Sequence, residues 1–403
     1  MKLPEANPDQ QAVIDAAVQW YNNSSEQVFQ FSGGPGTGKS FTLNKIIHAL
    51  GIPYHDVMAM SYIGAAAIVM RLKGFTNAKT MHSWLFDPVE EIMRDDSGAP
   101  IMDPLYNRPK VKRSFVEKDF IDENIKLIVI DEAGSMPLKY KRVIEKHGIK
   151  IIATGDVDQL PPVQDTPAYL YTGKVYRINQ IMRQAENSSI VYLSRRALQG
   201  LPIHTGYYGD SLVITEDDIT EQMILNSDVI ICGKNYTRDY WNHKIRQDLL
   251  HINSPTPVFM EKVVCAKNNW NIEVSGISLA NGLPGRVVNN PDPSGFDSDT
   301  NTFKMDFLPD MLGEPFKGLH ASYDYIISDH ERRNALKADR YCFGEKFEFG
   351  YALTTHKAQG SQWANGIYFE EFLQPSINNN LHYTAISRFS NTIIYVKKKS
   401  KYI

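Results

Sequence analysis

A glycine-rich segment with the pattern GxxxxGK[ST] limits the fold of this chain more than any other feature, and it runs from Gly33 to Ser40. Glycines let successive backbone N–H groups point at the oxygens of a phosphate, and the following helix N-terminus adds partial positive charge. The apolar stretch QVFQF precedes the segment, and an amphipathic stretch that stops at Gly51 follows it. Strand, glycine loop and helix together predict a phosphate-binding loop in an α/β fold.

Composition limits the class of protein. The 403 residues, of which 42% are hydrophobic and 22% charged, suit two or three packed units. The net charge is −3, so any nucleic-acid site must be a local basic groove. Three distant cysteines argue against a disulfide framework and against zinc or iron–sulfur sites, and they favour a reducing, cytosolic setting. The sequence has no apolar run typical of a signal peptide or membrane span, so we expect a cytoplasmic protein without a membrane partner.

Polar residues follow two further apolar strands. KLIVIDEA ends with Asp131 and Glu132, and IKIIATGD is followed shortly by Gln159. Unbroken Ile, Val and Leu strands suit a parallel sheet that is covered on both faces. Beside a phosphate loop, Lys39 is expected to reach the β- and γ-phosphates, Ser40 and Asp131 to hold Mg²⁺, and Glu132 to polarise the attacking water. Gln159 is either a sensor of the γ-phosphate or part of a surface turn.

Two arginines follow local apolar runs, Arg183 in INQIMRQAENSSI and Arg388 in HYTAISRFSN. Each is either a solvated helix charge, which is the usual environment of Arg, or a finger that a second α/β domain directs at the γ-phosphate. Spacing alone does not separate these two interpretations.

Shifts in composition predict the domain organisation. The first α/β domain is expected to include a polar, proline-dotted insertion, and the second to be interrupted by a β-like, loop-rich stretch. The predicted boundaries are residues 1–180 for the first domain, with its insertion at about 86–123, residues 181–253 plus 347–403 for the second, and residues 254–346 for the inserted β domain.

The ordered motifs resemble those of superfamily 1B helicases of the RecD/Dda type, which include the Dda-like phage helicases. They are, in order, NPDQQ, GGPGTGKS, KTMHSWL, VIDEAGSM, GDVDQLPPV, IMRQAENSSI, TTHKAQGSQW and YTAISR, and they cover most of the chain. The resemblance implies two RecA-like parallel-sheet domains, with a small insertion in the first and an SH3-like β insertion in the second. It implies an ATP- and Mg²⁺-dependent DNA helicase that translocates 5′ to 3′ on single-stranded DNA in replication, repair or recombination.

The resemblance also implies roles for individual residues. Gln10 would contact adenine, and Gln159, Arg183 and Arg388 would sense or stabilise the γ-phosphate across a cleft between the domains. The implied catalytic set is Lys39, Asp131, Glu132, Gln159, Arg183 and Arg388. The implied ATP-binding set is Gln10, Gly33, Gly34, Pro35, Gly36, Thr37, Gly38, Lys39, Ser40 and Gly360. Contacts to the DNA backbone and bases are expected from Tyr62, Thr80, His82, Ser83, Trp84, Thr354, His356, Lys357 and Gln359.

Three stretches depart from the family pattern. SYIGAAA lacks the usual Pro and Thr, so Tyr62 is expected to stack on a base in their place. Gln362 stands where many relatives carry Glu, which leaves a ribose contact in doubt. The basic segment PLYNRPKVKRSF is hairpin-like, with a turn at Tyr106-Asn107, and is either the pin that splits a duplex or a solvated surface hairpin.

Two other functions stay open at this point: a translocase that strips proteins from single-stranded DNA with little unwinding, and a nucleotide-gated nucleic-acid binding module. The pair Asp131-Glu132 with two candidate arginine fingers favours hydrolysis over switching. The expected partners are single-stranded and forked duplex DNA and replication or single-strand-binding proteins. The chain is expected to act as a monomer in a bacterial or phage-infected host cytoplasm.

Overall fold

The computed structural model describes residues 5–162, 165–181, 188–289 and 296–398. The predicted finger Arg183, together with most of the IMRQAENSSI motif, lies outside the described residues.

The first α/β unit is a parallel sheet with helices on both faces. Its elements are α1 (Pro8–Asn23), β1 (Val28–Gly33), α2 (Lys39–Leu50), β2 (Val57–Ser61), α3 (Gly64–Leu72), β3 (Lys79–Thr80), α4 (Met81–Leu85), β4 (Phe86–Ile92), β5 (Met102–Asp103), β6 (Arg108–Pro109), β7 (Val111–Glu117), β8 (Leu127–Asp131), α5 (Lys141–Glu145), β9 (Lys150–Gly155) and β10 (Val175–Ile178). The sheet order is β10-β1-β9-β8-β2-β3, and its neighbours pair in parallel. The loop after β1 and the acids after β8 therefore meet at one edge of the sheet.

The remaining elements build a second parallel sheet and an inserted β domain. They are α6 (Ser189–Leu198), β11 (Gly206–Tyr208), β12 (Ser211–Thr215), α7 (Glu221–Leu225), β13 (Val229–Cys232), α8 (Asn235–Lys244), β14 (Lys262–Cys265), β15 (Asn269–Val274), β16 (Ile277–Leu279), β17 (Pro284–Val287), β18 (Thr302–Pro309), β19 (Phe316–Ser322), α9 (Tyr323–Ile327), α10 (His330–Ala338), β20 (Phe347–Phe349), β21 (Ala352–Thr354), α11 (Thr355–Ala358), β22 (Trp363–Phe369), α12 (Asn378–Ile386) and β23 (Phe389–Lys397).

The second sheet has the order β11-β12-β23-β22-β13-β21, and its pairs are parallel except for β11 with β12. Buried apolar residues cover both of its faces. The sequence analysis predicted that the strands of this sheet begin at Asp228. The structure shows an earlier strand, β12, which pairs with β23 near the other end of the chain. A pairing between segments so far apart in sequence leaves no local pattern to find.

The inserted β domain is an antiparallel sheet in the order β19-β18-β17-β14-β20, around its own apolar core. Strand β20 pairs with β14, so this sheet continues to Phe349, beyond the predicted boundary at residue 346. The SH3-like character of the insertion stays a prediction. The two parallel sheets place the catalytic and groove-lining segments at their carboxyl edges, and the inserted domain lies beside them.

A long hairpin occupies the predicted insertion of the first unit. Strands β4 and β7 form its base and β5 and β6 its outer part, with Asn107 at φ 47° in the turn. The Nζ of Lys110 donates to the carbonyls of Arg340 and Cys342, at 3.2 Å for the second, and Arg340 pairs with Asp96 at 2.7 Å. The hairpin is therefore tied to the inserted domain at its outer end.

Within the described part of the chain, none of the helices combines the length and the apolar character needed to cross a lipid bilayer.

Candidate nucleotide cleft and nucleic-acid groove

The phosphate loop joins β1 to α2, as the sequence predicts. Gly36 and Gly38 have φ angles of 75° and 81°, in the left-handed region that glycine adopts without strain. Among the described side chains none caps the N-terminus of α2, so its first backbone N–H groups stay available to a ligand. The Nζ of Lys39 donates to the carbonyl of Gly33 at 2.7 Å, which holds the ammonium group at the loop. This geometry suits an anionic phosphate chain.

Gln10 supports the loop from the protein interior. Its Nε2 donates to the carbonyl of Thr37 at 2.8 Å, and its Oε1 accepts from the backbone N–H of Asn7 at 3.0 Å. Thr37 is also buried, and its hydroxyl donates to the carbonyl of Gly34 at 2.8 Å. The structure therefore gives Gln10 a role in holding the loop, and its contact with adenine stays a prediction.

The two parallel sheets face each other across a cleft of about 380 Å³. Most of the predicted ATP-site residues line it, and they come from both sides. The first unit contributes Gly34, Pro35, Gly36, Gly38, Lys39, Ser40, Asp131, Glu132 and Gln159, and the second contributes Gly360, Ser361, Gln362, Ser387 and Arg388. A volume in this range is typical of small-ligand sites, so the cleft has the size and the polar lining that a nucleotide needs.

The carboxylates of Asp131, which ends β8, and of Glu132, which follows it, both line the cleft. Glu132 has a φ of 51°, and its backbone N–H donates to Asp131 Oδ1 at 2.9 Å. Burial and the neighbouring charge of Asp131 raise the pKa of Glu132, while Lys39 and Arg388 act in the opposite direction. A carboxylate with a raised pKa is a better proton acceptor, which suits a general base.

Arg388 is not a solvated helix charge. It follows α12, is 6% exposed, and donates from Nε to the carbonyl of Thr384 at 3.1 Å and from Nη2 to Ser387 Oγ at 3.1 Å. These bonds fix the side chain in the cleft wall opposite the phosphate loop. Burial excludes the interpretation of a solvated charge, and the role of Arg388 as a finger stays a prediction.

The cleft also has oxygen atoms that could coordinate Mg²⁺, which prefers oxygen ligands. The hydroxyl of Ser40 and the carboxylate of Asp131 both line it, and these hard oxygen ligands fit a magnesium ion that also contacts phosphate. The hydroxyl of Ser40 accepts from Lys73 Nζ at 3.0 Å, a contact that the sequence did not predict. Among the described residues, no group of three or more His, Cys, Asp and Glu side chains forms a metal cage of its own.

A second cavity, of about 450 Å³, forms a groove across both units. Predicted DNA-binding residues line it from both sides: Tyr62, Thr80 and His82 from the first unit, and His356, Lys357 and Gln359 from the second. Ser83 lies in an adjoining cavity of about 150 Å³. Trp84 instead donates from Nε1 to the carbonyl of Ala59 at 2.8 Å, so it is anchored to β2.

The two walls of the groove repeat one local structure. Thr80 ends β3 and accepts the Ser83 N–H at 3.3 Å, so it caps α4. Thr354 ends β21, accepts the Lys357 N–H at 3.4 Å and caps α11. In each wall a histidine follows the capping threonine by two positions and reaches the groove. Thr354 itself is buried, so its side chain acts as a helix cap.

Aromatic rings surround His82. Its ring centroid lies 5.4 Å from those of Phe86 and Phe115 and 5.3 Å from that of Tyr140, and Tyr62 is 6.1 Å away. Burial and the nearby Lys139 lower the pKa of His82, which favours its neutral form near pH 7. Flat, uncharged rings suit stacking on nucleic-acid bases.

The inserted domain completes the groove, and sequence reasoning did not identify these residues. Asn268, Trp270, Asn281 and Lys337 line it, and Trp270 also lines the adjoining cavity. The available signal was one large aromatic residue among amides in the stretch KNNWN. Such a residue predicts either core packing or stacking, and only its position beside the other groove residues decides between them.

Fold and site define a P-loop nucleotide-binding protein with two RecA-like parallel sheets. A family model described as an AAA domain matches residues 5–215, just over half of the 403-residue chain, and the chain belongs to that family. The predicted resemblance to superfamily 1B helicases and the predicted two-sheet fold are confirmed by relatives of the Pif1 and RecD2 types.

The chain is similar to the ATP-dependent DNA helicase Pif1 of Psychrobacter sp. (strain PRwf-1), with 34% identity over 146 residues that cover 33% of this chain and 19% of the relative. It is similar to the ATP-dependent RecD2 DNA helicase of Deinococcus radiodurans, with 24% identity over 382 residues that cover 89% and 45% of the two chains. This chain therefore spans less than half the length of these two relatives.

Solved structures share the fold. The crystal structure of a Bacteroides Pif1 helicase with ADP-AlF3 and ssDNA matches with a TM-score of 0.55 at 16% identity, covering 97% of this chain and 92% of that one. The Pif1 helicase from Candida albicans matches with a TM-score of 0.52 at 15% identity, covering 98% and 94%.

Proposed function

We propose that this chain is an ATP-dependent DNA helicase that translocates 5′ to 3′ on single-stranded DNA and couples hydrolysis to unwinding. One observation carries the proposal: the same two sheets line both the nucleotide cleft and the adjoining groove. Lys39 and Arg388 line the first from different units, and His82 and His356 line the second from different units. A change in the width of the cleft would therefore move the walls of the groove relative to each other.

The charged and polar residues of the cleft that were predicted from the sequence each have a chemical part in the proposed hydrolysis. Lys39 and the N–H groups of the loop hold the triphosphate, and Glu132 accepts a proton from the attacking water. Arg388 and Lys39 stabilise the charge that develops on the transferred phosphoryl group. Ser40 and Asp131 would hold a magnesium ion, which would neutralise part of the phosphate charge when bound. Gln159, beside them in the cleft wall, is proposed as the γ-phosphate sensor.

The groove suits a single strand held without regard to sequence. Lys357 supplies positive charge, Tyr62 and His82 supply rings, and Gln359 supplies an amide for backbone contacts. Trp270 extends the row of rings into the inserted domain. We propose these five side chains as DNA contacts together with Thr80, Ser83 and His356, which line the groove or the adjoining cavity, and with Trp84 and Thr354, whose side chains are hydrogen-bonded beside them.

The relatives support a DNA substrate. The Pif1 and RecD2 proteins are named as DNA helicases, and Bacteroides Pif1 was solved with ssDNA, while another Pif1 structure is described as a basis for unwinding at forked dsDNA. The predicted boundaries 1–180, 181–253 plus 347–403 and 254–346, with the inserted domain extended to Phe349, belong to the same proposal, as does a monomeric working unit.

The decisive experiment combines ATPase and unwinding assays. We expect steady-state ATP turnover to rise sharply with single-stranded DNA, and a fork with a 5′ tail to be unwound while one with a 3′ tail is not. A Glu132→Gln variant serves as the matched inactive control. An ATPase that does not respond to DNA contradicts the motor, and a preference for 3′ tails contradicts the proposed direction. Stimulation by DNA without unwinding of either fork favours a protein-stripping translocase.

A further inference from the structure

One tyrosine of the second unit reaches into the first unit at the nucleotide cleft. Tyr383 lies on α12, and its hydroxyl donates to Oδ2 of Asp156, which follows β9, at 2.6 Å. Each of the two residues is only 3% exposed. A buried hydrogen bond to a carboxylate is among the stronger ones in proteins, so this contact is a specific link between the two sheets.

The same hydroxyl lies close to the phosphate loop. A Cβ atom added at Gly34 would lie 2.9 Å from the hydroxyl oxygen of Tyr383, which is too close for a side chain at this position. The close approach also accounts for a glycine here, because any side chain would push the tyrosine away from Asp156. The hydroxyl thus lies beside the loop of one sheet and belongs to the helix that precedes Arg388 in the other.

The segment from Asp156 to Leu160 is bonded to the second unit at three further points. Asn380 Nδ2 donates to the carbonyl of Asp158 at 2.8 Å. The N–H of Leu160 donates to Thr384 Oγ1 at 2.9 Å, and Gln359 Nε2 donates to the carbonyl of Leu160 at 3.0 Å. Gln159, within this segment, lines the nucleotide cleft, whereas Gln359 lines the groove. The segment thus connects the cleft, which Gln159 lines, with the groove residue Gln359, which is hydrogen-bonded to Leu160.

We propose that Tyr383 is a positioning residue that keeps the segment 156–160 in register with the phosphate loop, so that Gln159 and Arg388 face the γ-phosphate together. The proposal rests on the proposed ATPase function. Displacement of Gly34 moves the tyrosine, and the tyrosine moves Asp156 and the bonds that reach the groove. Tyr383 acts through its neighbours and does not itself contact the reacting atoms.

The test uses Tyr383→Phe, which removes the hydroxyl and keeps the ring. We expect the DNA-stimulated kcat to fall about tenfold to hundredfold, the range for loss of a hydrogen bond to a charged group. The dissociation constant for a fluorescent ATP analogue should change less than about threefold, because Lys39 and the loop N–H groups remain. This split between turnover and binding is the readout that a merely structural role would not produce.

The matched control is Tyr395→Phe. Tyr395 is also buried, and its hydroxyl donates to Glu370 at 2.7 Å, but both residues belong to the second sheet region and the bond does not cross the cleft. Both variants remove one hydrogen bond from a buried tyrosine hydroxyl to a carboxylate, and the bond of Tyr395 is part-buried, so the unfolding temperature of Tyr395→Phe should fall by no more than that of Tyr383→Phe. Only Tyr383→Phe should lose DNA-stimulated turnover.

A second variant, Asp156→Asn, keeps an acceptor for the hydroxyl and guards against a folding failure of Tyr383→Phe. A double-mutant cycle of Tyr383→Phe and Asp156→Asn should be non-additive in kcat.

Equal kcat for Tyr383→Phe and Tyr395→Phe, or additive effects in the cycle, would overturn the proposal. A parallel loss of ATP affinity and kcat would also overturn it, because the hydroxyl would then be a simple binding group. If the unmodified protein shows no stimulation by DNA, the proposed function fails instead, which the wild-type measurement reveals by itself.

Discussion

Lys357, in the wall of the groove, pairs with the buried carboxylate of Glu348, with 2.6 Å between Nζ and Oε2. Burial lowers the pKa of Lys357 to about 8, even though Glu348 favours the charged form. Burial alone would raise the pKa of Glu348, but Lys357, Arg238 and Arg333 together lower it to about 2. The carboxylate of Glu348 therefore stays charged at neutral pH, whereas Lys357 loses its proton at a pH slightly above neutral.

This pair predicts that the affinity for single-stranded DNA depends on pH. The pKa of Lys357 lies below its ordinary value, so the ammonium group that attracts phosphate is present at pH 7 and lost as the pH rises through about 8. We expect fluorescence anisotropy to show weaker binding at pH 9.5 than at pH 7, with a salt dependence smaller by about one phosphate contact.

Lys357→Arg is the control for this pH dependence, because guanidinium stays charged throughout the range. Its binding should change little between pH 7 and pH 9.5. Lys357→Met should bind weakly and with a flat profile. A steep profile that persists in Lys357→Met would assign the titration to another group.

Substitutions of Lys39 and of Glu132 should have different effects on ATP binding and turnover. Lys39→Ala removes the ammonium group at the loop, so both binding of ATP and turnover should be lost. Glu132→Gln keeps the shape of the cleft but removes the base, so turnover should fall by about 10²-fold to 10⁴-fold while ATP still binds. Single-turnover hydrolysis and equilibrium binding of a fluorescent analogue measure the two effects. Near-normal turnover in Glu132→Gln would contradict its role as the base.

Arg388→Ala should lower kcat by about 10²-fold to 10³-fold, the usual cost of removing one transition-state donor. The KM for ATP should change far less, because the loop that holds the nucleotide lies in the other unit. Arg142→Ala is the matched control, since its side chain is 86% exposed. A larger effect on KM than on kcat would assign Arg388 to ground-state binding.

The long hairpin of the first unit is either a duplex-splitting pin or a surface hairpin. Substitution of Phe115 distinguishes these two interpretations. Its ring lies 5.4 Å from that of His82, beside the groove. If the hairpin splits the duplex, Phe115→Ala should slow unwinding of a fork about fivefold or more, the scale of one lost stacking contact. DNA-stimulated ATP turnover should stay within about twofold. Phe120→Ala, at a ring that is 87% exposed, is the control, and equal unwinding rates in both variants would favour the surface hairpin.

Local patterns predicted the parts of the fold that depend on neighbours in sequence. The stretch of α2 ends at Gly51, where the predicted stop occurs with a φ of 65°. The apolar strands β8 and β9 lie where the unbroken Ile and Val runs indicated, because burial on both faces requires such runs. The early strand β12 was missed, because its partner β23 comes from the far end of the chain.

The amino-acid sequence is sufficient to predict an α/β chain with a phosphate loop, two acids at a strand end and an arginine near the C-terminus. Their residue types and local spacing are enough for that, since each depends on a few adjacent residues. The tertiary structure was needed to show that Arg388 is buried in the cleft, that Trp270 lines the groove and that Tyr383 of the second unit bonds to Asp156 of the first. These relationships join residues that are far apart in sequence, and the docking of whole sheets against each other, which no local pattern encodes, brings them into contact.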